Sequence, residues 1–243
     1  MQATVYPAPL AGEHHDWLDR LHSELGLHVW SPVMAPIAEK LGKNIPLSVE
    51  DGLVLYHHPD LHEVGALANI VRKARFGLKT FFNSNVHINQ TNICVLACRF
   101  CAFRRGPKAH DAYAMSVDEY VADLSRYAHA VDEVHSVGGL HPDWGIEHYE
   151  ALFARVTNEH PHVSIKALTA VEIKHLSQRS SIPTKEVLRR LKNAGLTSLP
   201  GGGAEILDDD VRAVICNGKE SSAEYLQIHR EAHEVGLPSN CTM

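Results

Sequence analysis

The chain has 243 residues, of which 44% are apolar and 21% are charged, and this is the composition of an ordinary globular protein. Its formal net charge is −6 and no basic stretch stands out, so nucleic acid is not an expected partner. Charged residues interrupt the apolar stretches before they reach membrane-spanning length, and the first twenty residues lack the pattern of a secretory signal. Three of the five cysteines are clustered, which favours a reducing compartment over a disulfide framework, and we expect a cytoplasmic location.

Residues 1–82 are predicted to form a helical extension. Ser48 and Asp51 have the spacing of a capping box, and Gly77 is placed to end a long helix that starts near residue 60. The apolar face of that helix is predicted to contain Leu61, Val64, Leu67, Ala68 and Val71. The histidines of "HHPDLH" (57–62) lack the spacing of a known metal site, so this stretch is taken as a helix start.

From residue 83 to the end, short apolar strands alternate with amphipathic helices. Capping boxes start helices at Ser116, Thr169 and Ser221. The predicted strands are 85–89, 131–139, 162–168, 197–200 and 238–243. This order predicts an α/β fold with parallel crossovers, in which the candidate site motifs follow the carboxyl ends of strands, as in (β/α) barrels. A full barrel needs eight such units and about five are present, so we expect a barrel that is incomplete at its C-terminus.

The segment "NICVLACRFCAF" holds Cys94, Cys98 and Cys101 in C-x3-C-x2-C spacing. Buried small residues and zinc ligands are the alternatives, but structural zinc usually takes four ligands, and Cys216 and Cys241 lie outside this loop. A [4Fe–4S] cluster normally takes four thiolates, and three leave one iron open for another ligand. S-adenosylmethionine (SAM) can fill that position through its amino and carboxylate groups. Phe100, before the last cysteine, is expected to shield the cluster from water.

This spacing, with an aromatic residue before the third cysteine, resembles the signature of the radical SAM superfamily. The segments "HINQTNICVLACRFCAF", "GGLHPD", "KALTAVEI", "LPGGGAEI" and "SNCTM" resemble one branch of it, which holds the menaquinone enzymes of the futalosine route and the deazaflavin synthases. "KALTAVEI" and "SNCTM" look most like the aminofutalosine synthases. The resemblance covers about residue 48 to the end, and it implies a TIM-type barrel that lacks its C-terminal part.

The resemblance implies that the 5′-deoxyadenosyl radical of SAM adds to the enolpyruvyl double bond of 3-[(1-carboxyvinyl)oxy]benzoate. The adduct rearranges and loses its carboxyl carbon, which gives 6-amino-6-deoxyfutalosine for menaquinone biosynthesis. An electron donor such as flavodoxin or ferredoxin is the implied partner. Two alternatives stay open: a dehypoxanthine futalosine cyclase or deazaflavin synthase of the same branch, and an inactive, truncated cluster-binding protein.

Five further residues are candidates for the site. Gly138 and Gly139 end a strand where the superfamily holds the SAM amino group, although a tight turn also explains paired glycines. His141 could polarise or protonate a substrate carboxylate, or it could bond only to backbone. Glu172 could contact SAM or close the capping box of Thr169. Glu205 is expected near the site.

Three short features have simpler interpretations. The triple glycine at 201–203 lacks the Lys-Ser/Thr of a phosphate-binding loop, so it predicts a close backbone approach to SAM or substrate. Asn89 and Asn92 flank the cysteine loop and are expected to shape its turn.

Overall fold

A computed structural model describes residues 13–243, and it divides into two compact units at the boundary between Phe82 and Asn83. The part of the predicted helical extension that falls on residues 1–12 lies outside the described residues. Each unit has its own apolar core. No helix within 13–243 is long and apolar enough to cross a membrane.

Residues 13–82 contain four helices joined by short connections, and residues 77–82 after the last helix have no helix or strand. The helices are α1 (Trp17–Leu25), α2 (Ala35–Gly42), α3 (Val49–Tyr56) and α4 (Leu61–Phe76). The predicted capping box of Ser48 and Asp51 starts α3, because each residue's side chain accepts the backbone N–H of the other. Asp60 caps α4 by accepting the N–H groups of His62 and Glu63, so "HHPDLH" is a helix start.

The apolar face of α4 differs from the predicted one. Leu67 and Ile70 are buried with Ala74, and these positions form a face with the i, i+3, i+7 spacing of a helix. Leu61, in the first turn, is 79% exposed, and Ala68 is exposed as well. The prediction placed these two on the buried face because apolar residues occur on more than one side of this helix.

Residues 83–243 form a parallel sheet with helices between its strands. The strands are β1 (Asn85–His87), β2 (Glu133–Ser136), β3 (Ser164–Ala167) and β4 (Leu196–Ser198), and they lie in the order β1-β2-β3-β4. All three strand pairs are parallel. Each neighbouring pair is joined through helical segments, so the carboxyl ends of all four strands meet at one edge. The predicted α/β fold is confirmed.

Helical segments connect and follow the strands, and those other than the helix at 209–215 contribute to the core that covers one face of the sheet. They are α5 (Val117–Ser125), a short 3-10 turn (Ala128–Ala130), α6 (Ile146–Glu159), α7 (Ala170–Ser180), α8 (Thr184–Ala194), α9 (Asp209–Ile215) and α10 (Ser222–Glu234). Val134 and Ile165 extend from the strands into a core shared with Phe153 and Leu188 of the helices. Since side chains alternate along a strand, the residues next to Val134 and Ile165 face the other side of the sheet.

The segment predicted as a fifth strand is extended but is not a regular strand. Its one bridge pairs Leu199 with Ser239 in parallel, and the Thr242 N–H donates to the Gly201 carbonyl at 3.0 Å. The predicted strand is therefore wrong as a regular element, although the segment does lie beside the end of β4. The triple glycine permits this approach, because a Cβ on Gly201 would lie 2.6 Å from the Thr242 Oγ1.

Candidate functional site

The loop that carries the three cysteines follows β1 and is fixed to the segment after β2. The Val95 N–H donates to the Leu140 carbonyl at 3.0 Å, and the Gly139 N–H donates to the Thr91 carbonyl at 2.9 Å. The Cys94 N–H donates to the Arg105 carbonyl at 3.1 Å, which joins the first cysteine to the far side of its own loop. The loop therefore lies at the carboxyl edge of the sheet, where (β/α) enzymes hold their chemistry.

Cys98 and Cys101 lie on a tight turn, in which the Cys101 N–H donates to the Cys98 carbonyl at 3.2 Å. The Arg99 N–H donates to the Ile215 carbonyl at 2.8 Å, so this turn contacts the end of α9 next to the buried Cys216. Burial raises the pKa of the Cys98 thiol, and the nearby Lys219 ammonium opposes that shift. The three motif cysteines are partly buried free thiols, as cluster ligands would be before loading.

The cysteine loop has the donor set that an iron–sulfur cluster with one open iron takes. Among residues 13–243, no group of three or more His, Cys, Asp and Glu side chains is placed to bind a metal ion. A [4Fe–4S] cluster needs a wider arrangement, because each thiolate binds a different iron of the cubane. Cys94, Cys98 and Cys101 supply three free thiols on one short loop, which is the chemistry that this arrangement requires.

Gly138 and Gly139 are required by the close packing of the cysteine loop. A Cβ on Gly139 would lie 2.2 Å from the Ile93 carbonyl oxygen, and one on Gly138 would lie 2.6 Å from the Gln90 Nε2. The Gly138 N–H donates to the Glu172 Oε1 at 3.0 Å. The glycines thus let the loop backbone approach the end of β2, and their contact with SAM stays a prediction.

Glu172 joins the start of α7 to the ends of the neighbouring strands. Its Oε2 accepts the Thr169 N–H at 2.7 Å and the Thr169 hydroxyl at 2.9 Å, and its Oε1 accepts from Gly138 and, at 3.5 Å, from the Gln90 Nε2. Burial raises the pKa of the Glu172 carboxyl to about 7, against the opposing effect of these hydrogen bonds. Both carboxylate oxygens already have protein partners, and the SAM contact stays a prediction.

His141 lies in the loop after β2, with its ring stacked on that of Trp144 at a centroid distance of 4.4 Å. Its Nδ1 accepts the Asp143 N–H at 3.2 Å, and the His175 Nε2 lies 3.0 Å from its carbonyl oxygen. Burial lowers the pKa of the His141 imidazole, which favours the neutral form. The ring is partly exposed, and its predicted action on a substrate carboxylate stays a prediction.

Glu205 and Phe100 both contact Lys219. The Lys219 Nζ lies 3.1 Å from the Glu205 Oε1 and 5.2 Å from the centroid of the Phe100 ring. Glu205 follows the triple glycine with a φ of 52°, and its carboxylate also accepts the Gly203 N–H at 3.3 Å. Phe100 is 50% exposed. The structure brings these two predicted residues together through one ammonium group, and their roles stay predictions.

Sequence reasoning missed Gln90, Lys219 and the buried pair of Arg212 and Glu220. The Gln90 Oε1 accepts the Ser136 hydroxyl at 2.8 Å, which ties the two strands beneath the cysteine loop. The Arg212 Nη2 lies 3.0 Å from the Glu220 Oε1, and both side chains are buried. Single polar residues at these positions carry no spacing signal, because their partners come from other elements of the fold.

A cleft of about 80 Å³ opens between the cysteine loop and α7. Val95 and Leu96 of the loop form one side, Lys174 and His175 of α7 form another, and residues 218–220 close it. This cleft is next to the motif cysteines, so a small polar group could lie there beside the loop.

Comparisons with known proteins support the assignment of the cysteine loop to an iron–sulfur cluster. The chain is 45% identical to a protein from Thermus thermophilus named "Aminodeoxyfutalosine synthase", over 87% of this chain and 57% of that protein. It is 36% identical to the "Cyclic dehypoxanthine futalosine synthase" of Streptomyces coelicolor, over 86% of this chain and 54% of that protein. The chain therefore spans a little over half the length of these two relatives.

A solved structure has the same fold. The crystal structure of methylornithine synthase matches with a TM-score of 0.61 at 17% identity, over 83% of this chain and 56% of that one. The model of a family described as "Radical SAM superfamily" matches residues 88–243, the part that holds the cysteine loop and the parallel sheet. This family of enzymes uses a [4Fe–4S] cluster and SAM, and the residues described above cover part of its barrel. The chain belongs to the radical SAM superfamily.

Proposed function

We propose that this protein adds the 5′-deoxyadenosyl group of SAM to 3-[(1-carboxyvinyl)oxy]benzoate and forms 6-amino-6-deoxyfutalosine for menaquinone biosynthesis. The observation that carries the proposal is the three-cysteine loop at the carboxyl edge of the sheet. The chain's 45% identity to a protein named for this synthase supports the choice of reaction, against 36% to the cyclic futalosine enzyme.

Cys94, Cys98 and Cys101 would hold the cluster through their thiolates, with Phe100 beside it as a partial cover. When bound, a [4Fe–4S] cluster supplies the electron that cleaves SAM into methionine and an adenosyl radical. The backbone hydrogen bonds of Cys94 and Cys101 fix the loop, so that the thiols stay at the edge of the sheet.

The remaining candidate residues would act on SAM and substrate from the same edge. Gly138, Gly139 and Glu172 belong to one hydrogen-bonded unit under the loop and would position the methionine part of SAM. His141, held against Trp144, would donate a hydrogen bond or a proton to a substrate carboxylate. Glu205, paired with Lys219, would lie beside the reacting groups.

The proposal extends to the setting in which the protein works. All five cysteines are free thiols, which suits a reducing cytoplasm. A small one-electron donor such as flavodoxin or ferredoxin would reduce the cluster.

The cluster assignment is tested by iron and sulfide counts after anaerobic reconstitution. We expect about four irons per chain, as one [4Fe–4S] cluster requires, and loss of most of this iron in Cys98→Ala. Cys241→Ala is the matched control, because Cys241 is exposed and lies outside the loop. Equal iron in the wild type and Cys98→Ala would refute the assignment.

The reaction is tested with SAM, a reductant and the enolpyruvyl benzoate. We expect a product that contains both the adenosyl carbon and the benzoate ring. Accumulation of 5′-deoxyadenosine without that product would refute the synthase and favour the cyclic futalosine enzyme, whose named relative also matches this chain. A loaded cluster with no SAM cleavage at all would favour the inactive cluster-binding protein.

A further inference from the structure

The face of the sheet opposite the helices carries a row of nitrogen and hydroxyl groups. The strand register aligns His87 with His135, His135 with Lys166, and Lys166 with Ser198. The imidazole rings of His87 and His135 are 4.8 Å apart between centroids. We call these four residues the inner row. Their neighbours Val86, Val134 and Ile165 belong to the helix-facing core, so alternation turns the inner row to the opposite face.

The donor groups of the inner row have no hydrogen-bond acceptor among the described residues. In the part of the chain that the structure describes, none of its four side chains makes a hydrogen bond or an ion pair with another side chain or with backbone. Lys166 is half-buried along its side chain, its ammonium stays accessible to solvent, and that ammonium has no acidic partner among the described residues. The row therefore lacks a negatively charged partner.

The charged groups within the row have the same sign. Burial lowers the pKa of the His135 imidazole, and the positive charges of His87 and Lys166 lower it further. The carboxylate on the same strand and face is Glu133, two residues earlier, which the register places beside Asn85 and Ser164 in the next layer. Glu133 makes no ion pair with Lys166 or with either histidine, and its Oε1 is buried without a partner.

The row lies close to the candidate site. His87 is the last residue of β1, and His135 and Lys166 are each one residue before the end of their strands. The cysteine loop and the paired glycines follow β1 and β2 directly, so an anion on the row would lie under the loop that holds the cluster.

We propose that the inner row binds a carboxylate group of the substrate, with Lys166 as its main partner and the imidazoles of His87 and His135 on one side. This inference rests on the proposed function for the choice of an aromatic carboxylate as the ligand. The row alone recognises an oxyanion, and phosphate shares that chemistry. Lys166 is here a binding residue, with no part in the radical step.

The test is a calorimetric titration of the reconstituted full chain with isophthalate, without SAM or reductant. Isophthalamide is the neutral probe of the same shape, and inorganic phosphate is the competing oxyanion. We expect Lys166→Gln to weaken isophthalate binding about tenfold or more, which is the effect of one hydrogen bond to a charged group. Lys166→Arg keeps the charge and should bind within about threefold of the wild type.

Lys185→Gln is the matched control, because Lys185 is an exposed lysine of α8 that pairs with Glu234. Its isophthalate affinity should equal that of the wild type. If Lys166→Gln does not fold, as judged by circular dichroism, the exposed His87→Gln replaces it and should also weaken binding.

Three results would overturn the inference: no binding of isophthalate by the wild type, equal binding by Lys166→Gln, or equal binding of isophthalamide. Phosphate binding that is tighter than isophthalate binding would refute the carboxylate assignment. A different result refutes the proposed function. A chain that binds isophthalate through Lys166 but forms no adenosyl adduct would refute the synthase reaction, while the carboxylate site at the inner row would still stand.

Discussion

At the scale of single residues, Glu172 has the most consequences for the site. Its carboxyl group is buried and yet accepts hydrogen bonds from Thr169, Gly138 and Gln90. The folded protein holds the proton of this group more tightly than the unfolded chain does, because burial raises its pKa from 4.5 to about 7. Its contribution to stability is therefore full below about pH 4.5 and is lost as the pH rises through about 7.

This shift predicts a pH-dependent difference between the wild type and Glu172→Gln. Since the glutamine does not titrate, the wild type should lose stability relative to the variant between pH 5 and pH 8, by about 2.5 kcal/mol. Urea unfolding at the two pH values measures the difference. If the wild type and Glu172→Gln differ in unfolding free energy by the same amount at pH 5 and pH 8, Glu172 does not titrate in this range.

Gly139 is the second residue whose substitution has a specific expected effect. An added Cβ would lie 2.2 Å from the Ile93 carbonyl oxygen, so Gly139→Ala must displace the backbone of the cysteine loop. We expect a loss of about 1–3 kcal/mol of stability, as for other overpacked sites, and lower iron content after reconstitution.

Gly106→Ala is the control for this substitution. Gly106 belongs to the same unit, and a Cβ there would contact nothing within 4 Å. Its stability should change by less than about 0.5 kcal/mol. Equal iron content in the two variants would show that the approach of Gly139 to the loop does not matter for the cluster.

At the scale of elements, α9 holds the loop after β4 through one side chain. Arg212 is buried and donates to the carbonyls of Gly203, Ala204 and Ile206 at 3.1, 2.6 and 3.1 Å. It also pairs with the buried carboxylate of Glu220, which precedes α10. One guanidinium thus satisfies backbone groups that no strand or helix would satisfy.

Removal of this guanidinium should be strongly destabilising. Arg212→Leu removes the donor of four carbonyls, those of Gly203, Ala204, Ile206 and Glu220, and of the buried Glu220 carboxylate, so we expect a loss of about 3–5 kcal/mol. Arg189→Leu is the control, because Arg189 is an exposed arginine of α8. Urea unfolding measures both variants, and a similar loss in the two would contradict the assigned role of Arg212.

The elements that sequence could predict are those with local signals. Reciprocal Ser–Glu capping boxes start α5 and α10 as predicted, because such a box depends only on residues three apart. The seven-residue α9 was not predicted, since it starts at Asp208 without such a box. The last segment was overpredicted as a strand, because extended backbone becomes a strand only through its pairing with a neighbour.

At the scale of the whole molecule, the two units are linked by a segment without helix or strand. Residues 79–84 have no regular structure, and Phe82 within them is 90% exposed. Proteases cut such segments first, because local unfolding there breaks few contacts. We expect brief chymotrypsin digestion to cut after Phe81 or Phe82 and to release a fragment that starts near Asn83.

The double variant Phe81→Ser with Phe82→Ser should resist that cut and leave the other cleavage rates unchanged. Mass spectrometry of the early fragments identifies the sites. First cuts inside the cysteine loop, at Phe100 or Phe103, would contradict the prediction.

The site as a whole was predictable where its residues are close in sequence. The spacing of Cys94, Cys98 and Cys101 indicated the cofactor, because three cysteines this close on one loop can bind three irons of one cluster. The contacts of Gln90 and Lys219 could not be found in this way, since Gln90 meets Ser136 and Glu172, which are distant in the chain, and Lys219 lies far from the cysteine loop in sequence. The inner row depends on strand register, which the sequence of single strands does not determine.

The fixed backbone of the cysteine loop has a consequence for the assembly of the holoprotein. Cys94, Val95, Arg99 and Cys101 all have bonded amide groups without any help from a cluster. Ordering a free backbone costs about 1–2 kcal/mol per residue, and at these four residues the backbone is already ordered in the folded chain. Cluster insertion can thus follow folding with little further loss of chain entropy at these residues. Little of the binding free energy of iron and sulfide is then needed to order the loop.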